Sequence, residues 1–349
     1  MKVQTSEWVS LGHPDKMADY ISCYILDKYL EQDPRTRYAL EVQIKDNFVS
    51  LAGEIDSRAY IKSTDIESYV RAAVNEIGYT RKYQKRFGVD NTICGDDIQV
   101  VQHIGMQSRD IAQGVDNFGW GDQGIFWGMA VRDQTTDYMP RDWYLARRIG
   151  QTLFDSGVGG LDIKTQVSIV NGMVSEVVVA IPLLSDNDEY AVRRIVRQQI
   201  KSSYARIYVN GTGRYVKHGP IGDCGTTGRK LAVDFYGGNC IIGGGSPWTK
   251  DATKADLTLN IQARKYAVAG LANKDWEKYD EIFAALSCRI GSPVINVSYM
   301  DRAGNLLCSP AIHDVRPTDL IEWLGLDKPV FRRLCREGLF TNLSKPPKV

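Results

Sequence analysis

The chain has 349 residues, of which 43% are hydrophobic and 24% are charged, a balance typical of an ordinary globular protein with two or three domains. A formal net charge of +1 provides no overall field for nucleic acid or an anionic membrane, so an anion site must be built locally. No apolar run approaches the roughly 20 residues of a membrane-spanning helix. The seven cysteines are dispersed without a CxxC pair, as free thiols are, and we expect a cytoplasmic protein.

The first hundred residues are predicted to form a helix, a hairpin, a second helix and a strand. Met17, Ile21 and Ile25 recur at helical spacing behind Pro14, which suits a first helical turn. Apolar and polar residues then alternate on both sides of a Lys-Asp-Asn turn, as in a β-hairpin. The predicted elements are the helix Pro14–Glu31, the hairpin of Tyr38–Ile44 and Phe48–Ile55, the helix Thr64–Ile77 and the strand Ile98–Ile104.

The rest of the chain mixes helices and strands without a strict alternation, which favours the α+β class over a doubly wound sheet. A segment rich in Gly, Asp and Gln, Gln107–Gln123, is predicted to be a long loop. The further predicted elements are the helices Asp142–Ser156, Glu189–Arg206, Asp256–Ala272 and Pro317–Leu324, the hairpin of Lys164–Asn171 and Met173–Leu184, and the strands Arg206–Val209 and Ile290–Tyr299.

The first candidate site is Gly12-His13-Pro14-Asp15-Lys16, at a predicted helix start. Free N–H groups and a partial positive charge at a helix N-terminus suit phosphate. Asp15 could hold Mg²⁺, which takes one or two carboxylates together with phosphate oxygens. The alternative interpretation is a simple helix cap with Asp15 in the first turn.

Asp162 and Lys164 stand at the start of a predicted strand, where alternation places both on one side. The carboxylate could accept a ribose hydroxyl or an amino group while the lysine contacts phosphate. The alternative is a surface ion pair at a strand end.

A glycine-rich segment, Gly219 to Lys230, is the third candidate. Its glycines allow close approach of the backbone to a ligand, and Arg229 and Lys230 supply a planar fork and a point charge for polyphosphate. The spacing is not that of a Walker loop. Ligand binding therefore rests on the embedded charges, and a plain surface loop is the alternative.

Three further glycines, Gly243 to Gly245, precede the fourth candidate. If Lys250 and Lys254 lie on a helix they share a face, which is unfavourable for like charges unless an anion lies between them. A solvated basic face is the alternative. Together the four segments supply a candidate set of cations: His13, Lys164, Arg229, Lys230, Lys250 and Lys254. A candidate set of carboxylates accompanies them: Asp15, Asp223, Asp256 and, from the segment between, Asp122. These two sets predict a Mg²⁺-dependent enzyme that acts on a polyphosphate or a nucleotide.

Several motifs also stand in the order found in a known family. They are Thr5-Ser6-Glu7 with Gly12-His13-Pro14-Asp15-Lys16, Gly121-Asp122-Gln123-Gly124, the segment from Gly219 to Lys230, and Val233-Asp234 with Tyr236-Gly237-Gly238. At these positions the chain resembles the S-adenosylmethionine synthetase (methionine adenosyltransferase) family. The resemblance runs from about residue 4 to about residue 325. The chain differs from the family at several positions, as a divergent member would. Leu11 stands where the family usually has Glu, and Met106, beside Gln107, stands where the family has Lys. The segment from Ser246 to Thr249 is also altered.

The resemblance implies three similar βαββαβ-type domains around a pseudo-threefold axis, predicted here at residues 1–110, 111–217 and 218–349. It implies ATP and L-methionine as substrates, two Mg²⁺ per site and K⁺ as cofactors, and no nucleic-acid or membrane partner. It also implies a homodimer or a dimer of dimers, with active sites between subunits. Residues from about 107 to 122 would form a gate.

Residue roles follow from the same resemblance. The ATP site would contain His13, Asp162, Lys164, Arg214, Tyr215, Asp223, Arg229, Lys230, Ser246 and Lys250. The methionine site would contain Glu54, Gln107, Asp122, Asp223 and Lys254. Mg²⁺ would be bound by Asp15 and Asp256, and K⁺ by Glu41. The catalytic residues would be His13, Lys164, Arg229, Lys230, Lys250 and Asp122.

The implied reaction is attack of the methionine sulfur on the 5′ carbon of ATP, followed by hydrolysis of the tripolyphosphate. Two alternatives remain open. One is a non-catalytic regulatory paralogue that binds nucleotide. The other is a tripolyphosphatase, or a synthetase for a different thioether.

Overall fold

The computed structural model describes residues 3–106, 119–200 and 202–340, which contain three sheets of four strands each. The strands are β1 (Val3–Val9), β2 (Arg37–Lys45), β3 (Phe48–Asp56), β4 (Gln99–Gly105), β5 (Gly124–Val131), β6 (Lys164–Val170), β7 (Met173–Ala180), β8 (Arg206–Val209), β9 (Gly225–Thr226), β10 (Glu281–Cys288), β11 (Val294–Met300) and β12 (Ala311–Asp314). Across these described ranges, no helix has the length and apolar character needed to cross a bilayer.

Helices cover one face of each sheet and connect the strands. They are α1 (Pro14–Leu30), α2 (Ser63–Ile77), α3 (Arg81–Phe87), α4 (Arg141–Ser156), α5 (Asn187–Ile200), the single turn α6 (Leu231–Asp234), α7 (Ala255–Gly270), α8 (Pro317–Leu324) and α9 (Phe331–Glu337). α1 packs on β2 and β9, α4 on β1 and β6, and α7 on β5 and β10. Each sheet therefore has one long helix against its centre.

The three sheets exchange strands in a cycle. Each is built on a hairpin, and the strand that flanks the hairpin comes from another part of the chain: β1 pairs with β6, β5 with β10, and β9 with β2. The strand order is β1-β6-β7-β8, β12-β11-β10-β5 and β4-β3-β2-β9. This arrangement confirms the predicted α+β class. The domain limits after residues 110 and 217 stay a prediction. Each sheet contains strands from both sides of at least one of these limits.

The sheet β12-β11-β10-β5 differs from the other two in the direction of its edge strand. β4 and β8 lie parallel to their neighbours β3 and β7, whereas β12 lies antiparallel to β11. Parallel neighbours need a crossover, which α2 and α5 supply, but an antiparallel neighbour needs only a short connection. No described helix lies between β11 and β12, so the antiparallel arrangement is the one that fits.

Sequence periodicity predicted the long helices and both hairpins, but it misplaced three boundaries. The helix predicted to reach Arg206 ends at Ile200, and the strand predicted to reach Leu184 ends at Ala180. The strand predicted from Ile290 begins at Val294, after Pro293. Proline cannot donate to a strand ladder, which suits a strand start there. The structure also contains elements that were not predicted, namely β1, α3, β5, β9, α6, β10, β12 and α9.

Helix α9 is held against α1 by a buried carboxylate. Asp27, which has no solvent exposure, accepts hydrogen bonds from the backbone N–H of Phe331 at 2.9 Å and of Arg332 at 3.0 Å. The Arg332 side chain adds a contact of 3.2 Å between its Nε and the same carboxylate. Asp27 thus caps a helix that lies 300 residues further along the chain.

Asp27→Ala is expected to lower the free energy of unfolding by about 1–3 kcal/mol, because it removes a helix cap and leaves buried N–H groups without an acceptor. Urea denaturation monitored by circular dichroism measures this change. Glu67→Ala is the control, since Glu67 is a partly exposed carboxylate on α2 whose ion pair, with Arg71, lies within its own helix. Equal losses in the two variants would show that the cap contributes nothing.

Candidate active site

His13 is the N-cap of α1 and has a neutral imidazole. Its Nδ1 accepts a hydrogen bond from the Asp15 N–H at 3.2 Å. Burial lowers the pKa of His13 to about 4, and the positive charge of Lys230 adds to this shift. Because Nδ1 is an acceptor, the proton of the neutral ring sits on Nε2, which can donate a hydrogen bond to a ligand. The cap and the ligand-binding interpretations of this residue are therefore compatible.

Asp15 is the centre of a compact charge cluster. Its carboxylate, 2% exposed, accepts the Thr226 N–H at 2.9 Å and lies 2.5 Å from the Lys230 ammonium. Arg229 Nε lies 3.7 Å away, on a side chain that is 55% exposed. Burial raises the pKa of Asp15, but hydrogen bonds from Lys230 and Thr226 outweigh it and leave the pKa below its usual value. Asp15 thus holds both cations of the glycine-rich loop beside the start of α1.

The glycine-rich loop reaches α1 because two of its glycines allow close contacts. A Cβ on Gly225 would lie 2.2 Å from the carbonyl oxygen of Pro14. Gly228 has φ of +74°, a conformation that other residues rarely adopt. The close approach brings Arg229 and Lys230 to the N-terminus of α1, as an anion site requires.

Asp162 lies two residues before β6, so strand alternation does not set its direction. Its Oδ2 accepts the Gly219 N–H at 2.9 Å. Burial raises the pKa of Asp162 to about 7, and the nearby Asp223 carboxylate adds to the shift. Tyr215 lies beside it, with its hydroxyl 3.5 Å from the Asp162 carbonyl oxygen. Asp162, Tyr215 and Asp223 therefore share one region, and their ATP-binding role stays a prediction.

Lys164, the first residue of β6, pairs with Glu7 of β1 at 2.9 Å and is 46% exposed. Its charge contributes to the low pKa of His13, which places it near that ring. Glu7 belongs to a motif that carried the family resemblance, but no sequence pattern indicated that it pairs with Lys164. Only the antiparallel register of β1 and β6 brings the two together.

A hydrogen-bonded relay supports the Asp162 region, and the sequence did not predict it. The Leu161 N–H donates to the Tyr83 hydroxyl at 2.8 Å, and that hydroxyl lies 2.6 Å from His218 Nε2. His218 Nδ1 lies 2.6 Å from the Val216 carbonyl oxygen, which can only accept, so Nδ1 carries the proton and Nε2 accepts from Tyr83. Burial lowers the pKa of His218 to about 4, which keeps the ring neutral. The relay joins the segment that ends at Leu161, just before Asp162, to the segment that begins at Val216, just after Tyr215.

A second cluster contains Lys250 and Asp256. The Lys250 ammonium pairs with the Asp256 carboxylate, which also accepts the Gly245 N–H at 2.7 Å. The expectation that Lys250 and Lys254 share a helical face is wrong, because α7 begins at Ala255, after both lysines. Lys254 instead lies 4.0 Å from Asp251.

Asp122 lies close to this second cluster through Cys288 of β10. The Cys288 thiol donates to the Asp122 carbonyl oxygen at 3.4 Å. Burial raises the pKa of that thiol to about 11, and the carboxylates of Asp122 and Asp256 add to the shift. Asp122 and Asp256 therefore both lie near Cys288, and their methionine and metal roles stay predictions.

The remaining predicted residues are more scattered. Ser246 approaches Gly228, and Glu41, on the exposed face of β2, accepts a hydrogen bond from Thr227. Glu54 is exposed on β3. Arg214 pairs with the exposed Asp186 at 2.9 Å and donates to the Leu184 carbonyl oxygen, away from the Asp15 cluster. Gln107 and most of the predicted gate, residues 107–118, lie outside the described residues.

Among residues 3–106, 119–200 and 202–340, no group of three or more His, Cys, Asp or Glu side chains forms a protein-only metal cage. Asp15 and Asp256 each offer one carboxylate beside a lysine. Mg²⁺ commonly binds through one or two carboxylates, with phosphate oxygens and water completing its shell. The donors therefore fit a Mg²⁺ that binds together with a polyphosphate. The K⁺ role of Glu41 stays a prediction.

If Asp162 accepts a hydrogen bond from ATP, as the family resemblance implies, ATP binding should weaken as the pH falls through about 7, where Asp162 gains a proton. KM for ATP should therefore be higher at pH 6 than at pH 8. Asp162→Asn should raise KM at pH 8 by about tenfold, the value of a hydrogen bond to a charged group. A variant that keeps the pH profile of the original protein would exclude Asp162 as its cause.

Two family models and a solved structure match this chain. The family model for the S-adenosylmethionine synthetase N-terminal domain matches residues 1–109, and the model for the C-terminal domain of the same family matches residues 217–347. The solved structure of an unusual S-adenosylmethionine synthetase from Campylobacter jejuni is similar to this one, with a TM-score of 0.84 and 28% identity over 99% of this chain and 96% of that chain. The chain therefore belongs to the S-adenosylmethionine synthetase family.

Proposed function

We propose that this protein makes S-adenosylmethionine from ATP, L-methionine and water, with release of phosphate and diphosphate. The observation that supports the proposal most strongly is the cluster around Asp15. There the neutral His13, the ammonium of Lys230 and the guanidinium of Arg229 meet at a helix N-terminus. Such an arrangement suits a polyphosphate, and these residues stand at the positions that carry the family resemblance.

In the proposed first step, the methionine sulfur attacks the 5′ carbon of ATP in line with the departing tripolyphosphate. A thioether sulfur carries no proton, so this step needs no general base. The protein's contribution is alignment of the reactants and stabilisation of charge on the leaving group. His13 is proposed to donate from Nε2 near the breaking bond, while Lys164, Arg229, Lys230 and Lys250 neutralise the phosphate oxygens.

In the proposed second step, water hydrolyses the tripolyphosphate within the same set of cations. Asp15 and Asp256 are the residues proposed to hold Mg²⁺, which when bound neutralises phosphate charge. Glu54, Gln107, Asp122 and Lys254 are proposed to bind methionine, and Asp223 to contact both substrates.

We further propose a homodimer, or a dimer of dimers, whose active sites lie between subunits, and a cytoplasmic location. Support for the assembly comes from the exposed polar face of β2 and β3. Glu41 and Glu54 are exposed on this face. Their proposed ligands, K⁺ and methionine, would therefore be open to solvent in a single subunit. A partner subunit against this face would enclose both residues in a site.

Mass spectrometry of a reaction with ATP, L-methionine, Mg²⁺ and K⁺ tests the proposed function. The expected products are S-adenosylmethionine with equal amounts of phosphate and diphosphate. A reaction without methionine, supplied with tripolyphosphate, separates the alternatives. Rapid tripolyphosphate hydrolysis with no S-adenosylmethionine under any metal or pH condition would favour a tripolyphosphatase, and no reaction in either mixture would favour a non-catalytic paralogue.

A further inference from the structure

Lys16, the residue after Asp15 in α1, belongs to a buried group of charges that the proposed mechanism does not use. The Lys16 ammonium is 2.8 Å from Asp234 and 3.1 Å from Asp19. It also lies 4.6 Å from the centre of the Trp248 indole ring. All four side chains are buried, with exposures of 3% for Lys16 and 0% for Asp19 and Trp248. We call these four residues the lysine core.

The lysine core is connected to both loops that carry the phosphate-binding cations. Asp19 Oδ1 accepts the Gly228 N–H at 2.9 Å, immediately before Arg229 in the chain. Asp234 Oδ2 accepts the Trp248 Nε1–H at 2.8 Å, two residues before Lys250. A single ammonium group therefore links α1, the glycine-rich loop and the loop that carries Lys250.

The ionic contacts of the lysine core should fix the positions of the two loops more than they raise the free energy of unfolding. Removing charges from water costs several kcal/mol per ion, and replacing a buried ionic group by apolar side chains of similar volume is often neutral or stabilising. The hydrogen bonds are directional, however, and each carboxylate oxygen has a defined partner. An apolar core of the same volume would not fix the positions of the two loops in this way.

We propose that Lys16, Asp19, Asp234 and Trp248 are positioning residues that hold the two cation-bearing loops at the spacing a polyphosphate requires. This inference rests on the proposed function and adds residues that touch no substrate. They act through Gly228 on Arg229 and Lys230, and through Trp248 on Lys250.

Trp248→Phe is the most selective test, because it removes one N–H donor and keeps an aromatic ring beside Lys16. A misplacement of about 1 Å can cost about 10²-fold in rate, so kcat for S-adenosylmethionine formation should fall by about tenfold to a hundredfold. The thermal midpoint should also fall, because Phe is smaller than the fully buried Trp and leaves Asp234 without a donor, so kcat is compared per folded site. A merely structural role would lower the thermal midpoint and leave kcat per folded site unchanged, and that result would overturn the inference.

Asp19 provides a rescue test. Asp19→Ala removes the acceptor of the Gly228 N–H, whereas Asp19→Asn keeps an amide oxygen that can accept it. Asp19→Asn should therefore retain at least about tenfold more of kcat than Asp19→Ala, once both are corrected for the folded fraction. Equal kcat values in the two variants would show that holding Gly228 is not the role of Asp19.

Lys28→Met is a matched control for Lys16→Met. Both lysines lie on α1 and pair with a carboxylate three residues later, but Lys28 and Glu31 are partly exposed. Lys16→Met should lower kcat by at least tenfold more than Lys28→Met, because only Lys16 joins the two loops. Similar kcat values would contradict the proposal.

Calorimetric binding of tripolyphosphate with Mg²⁺ gives a readout that needs no turnover. Each lysine-core variant should bind it at least about tenfold more weakly than Lys28→Met. If the original protein binds tripolyphosphate but forms no S-adenosylmethionine, the proposed function fails while this comparison still tests the lysine core. Unchanged binding in folded variants, or no binding by the original protein, would overturn the inference.

Discussion

Lys250→Ala is expected to lower kcat for S-adenosylmethionine formation by about 10²–10³-fold, the usual effect of removing a donor that faces charge developing in a transition state. Lys250 is held by Asp256 and by the loop that follows the three glycines, so its ammonium is oriented before substrate binds. Preorganised donors of this kind need no reorganisation as the tripolyphosphate leaves. The loss should therefore appear in kcat more than in KM for methionine.

Lys265→Ala is the control for this variant. Lys265 lies on α7, whose first turn contains Asp256, but its ammonium lies over the Trp323 ring, 4.7 Å from the ring centre. Its replacement should leave kcat within about twofold of the original value, since surface changes away from a site have small effects. Near-normal turnover of Lys250→Ala would remove Lys250 from the site.

His13→Asn is expected to slow S-adenosylmethionine formation by about 10²-fold and to slow hydrolysis of added tripolyphosphate much less. Asparagine is itself a good N-cap, so α1 should remain intact. Its amide cannot place a donor where Nε2 of the neutral imidazole lies. The difference between the two reactions is expected because His13 is proposed to act at the bond to the 5′ carbon.

Rapid-quench measurements of both reactions check this prediction. The thermal midpoint of His13→Asn should match that of the original protein, which separates a chemical effect from unfolding. An equal slowing of the two reactions would place His13 elsewhere along the phosphate chain. Loss of the folded state would instead show that capping by His13 is its main role.

The sequence predicted the local elements well where a single period dominated. Helix α1 was expected because apolar residues recur along it, and β2 was expected because Tyr38, Leu40 and Val42 alternate with exposed neighbours. β10 was missed because Ile282 to Leu286 is buried on both faces and shows no alternation. The cyclic exchange of strands could not be predicted, since it depends on pairings between residues more than a hundred positions apart.

In the candidate site, too, residues with a local sequence signal were predicted and residues that depend on distant partners were not. Charged residues in motifs, such as Asp15, Arg229 and Lys230, were predicted by their chemistry and by the family resemblance, and the structure brings them together. Residues that act through others had no such signal. Asp19 and Tyr83 look like ordinary helix residues until their distant partners are known.

One measurement tests the proposed mechanism most directly, because Lys164, Arg229, Lys230 and Lys250 are all proposed to face a tripolyphosphate formed on the protein. In a single turnover with ATP labelled in its phosphates, quenched in acid at successive times, tripolyphosphate should rise with S-adenosylmethionine and then decay to phosphate and diphosphate. Release of ADP with phosphate, or of AMP with diphosphate, without any tripolyphosphate would mean that the cations serve a different cleavage, and the proposed mechanism would be wrong.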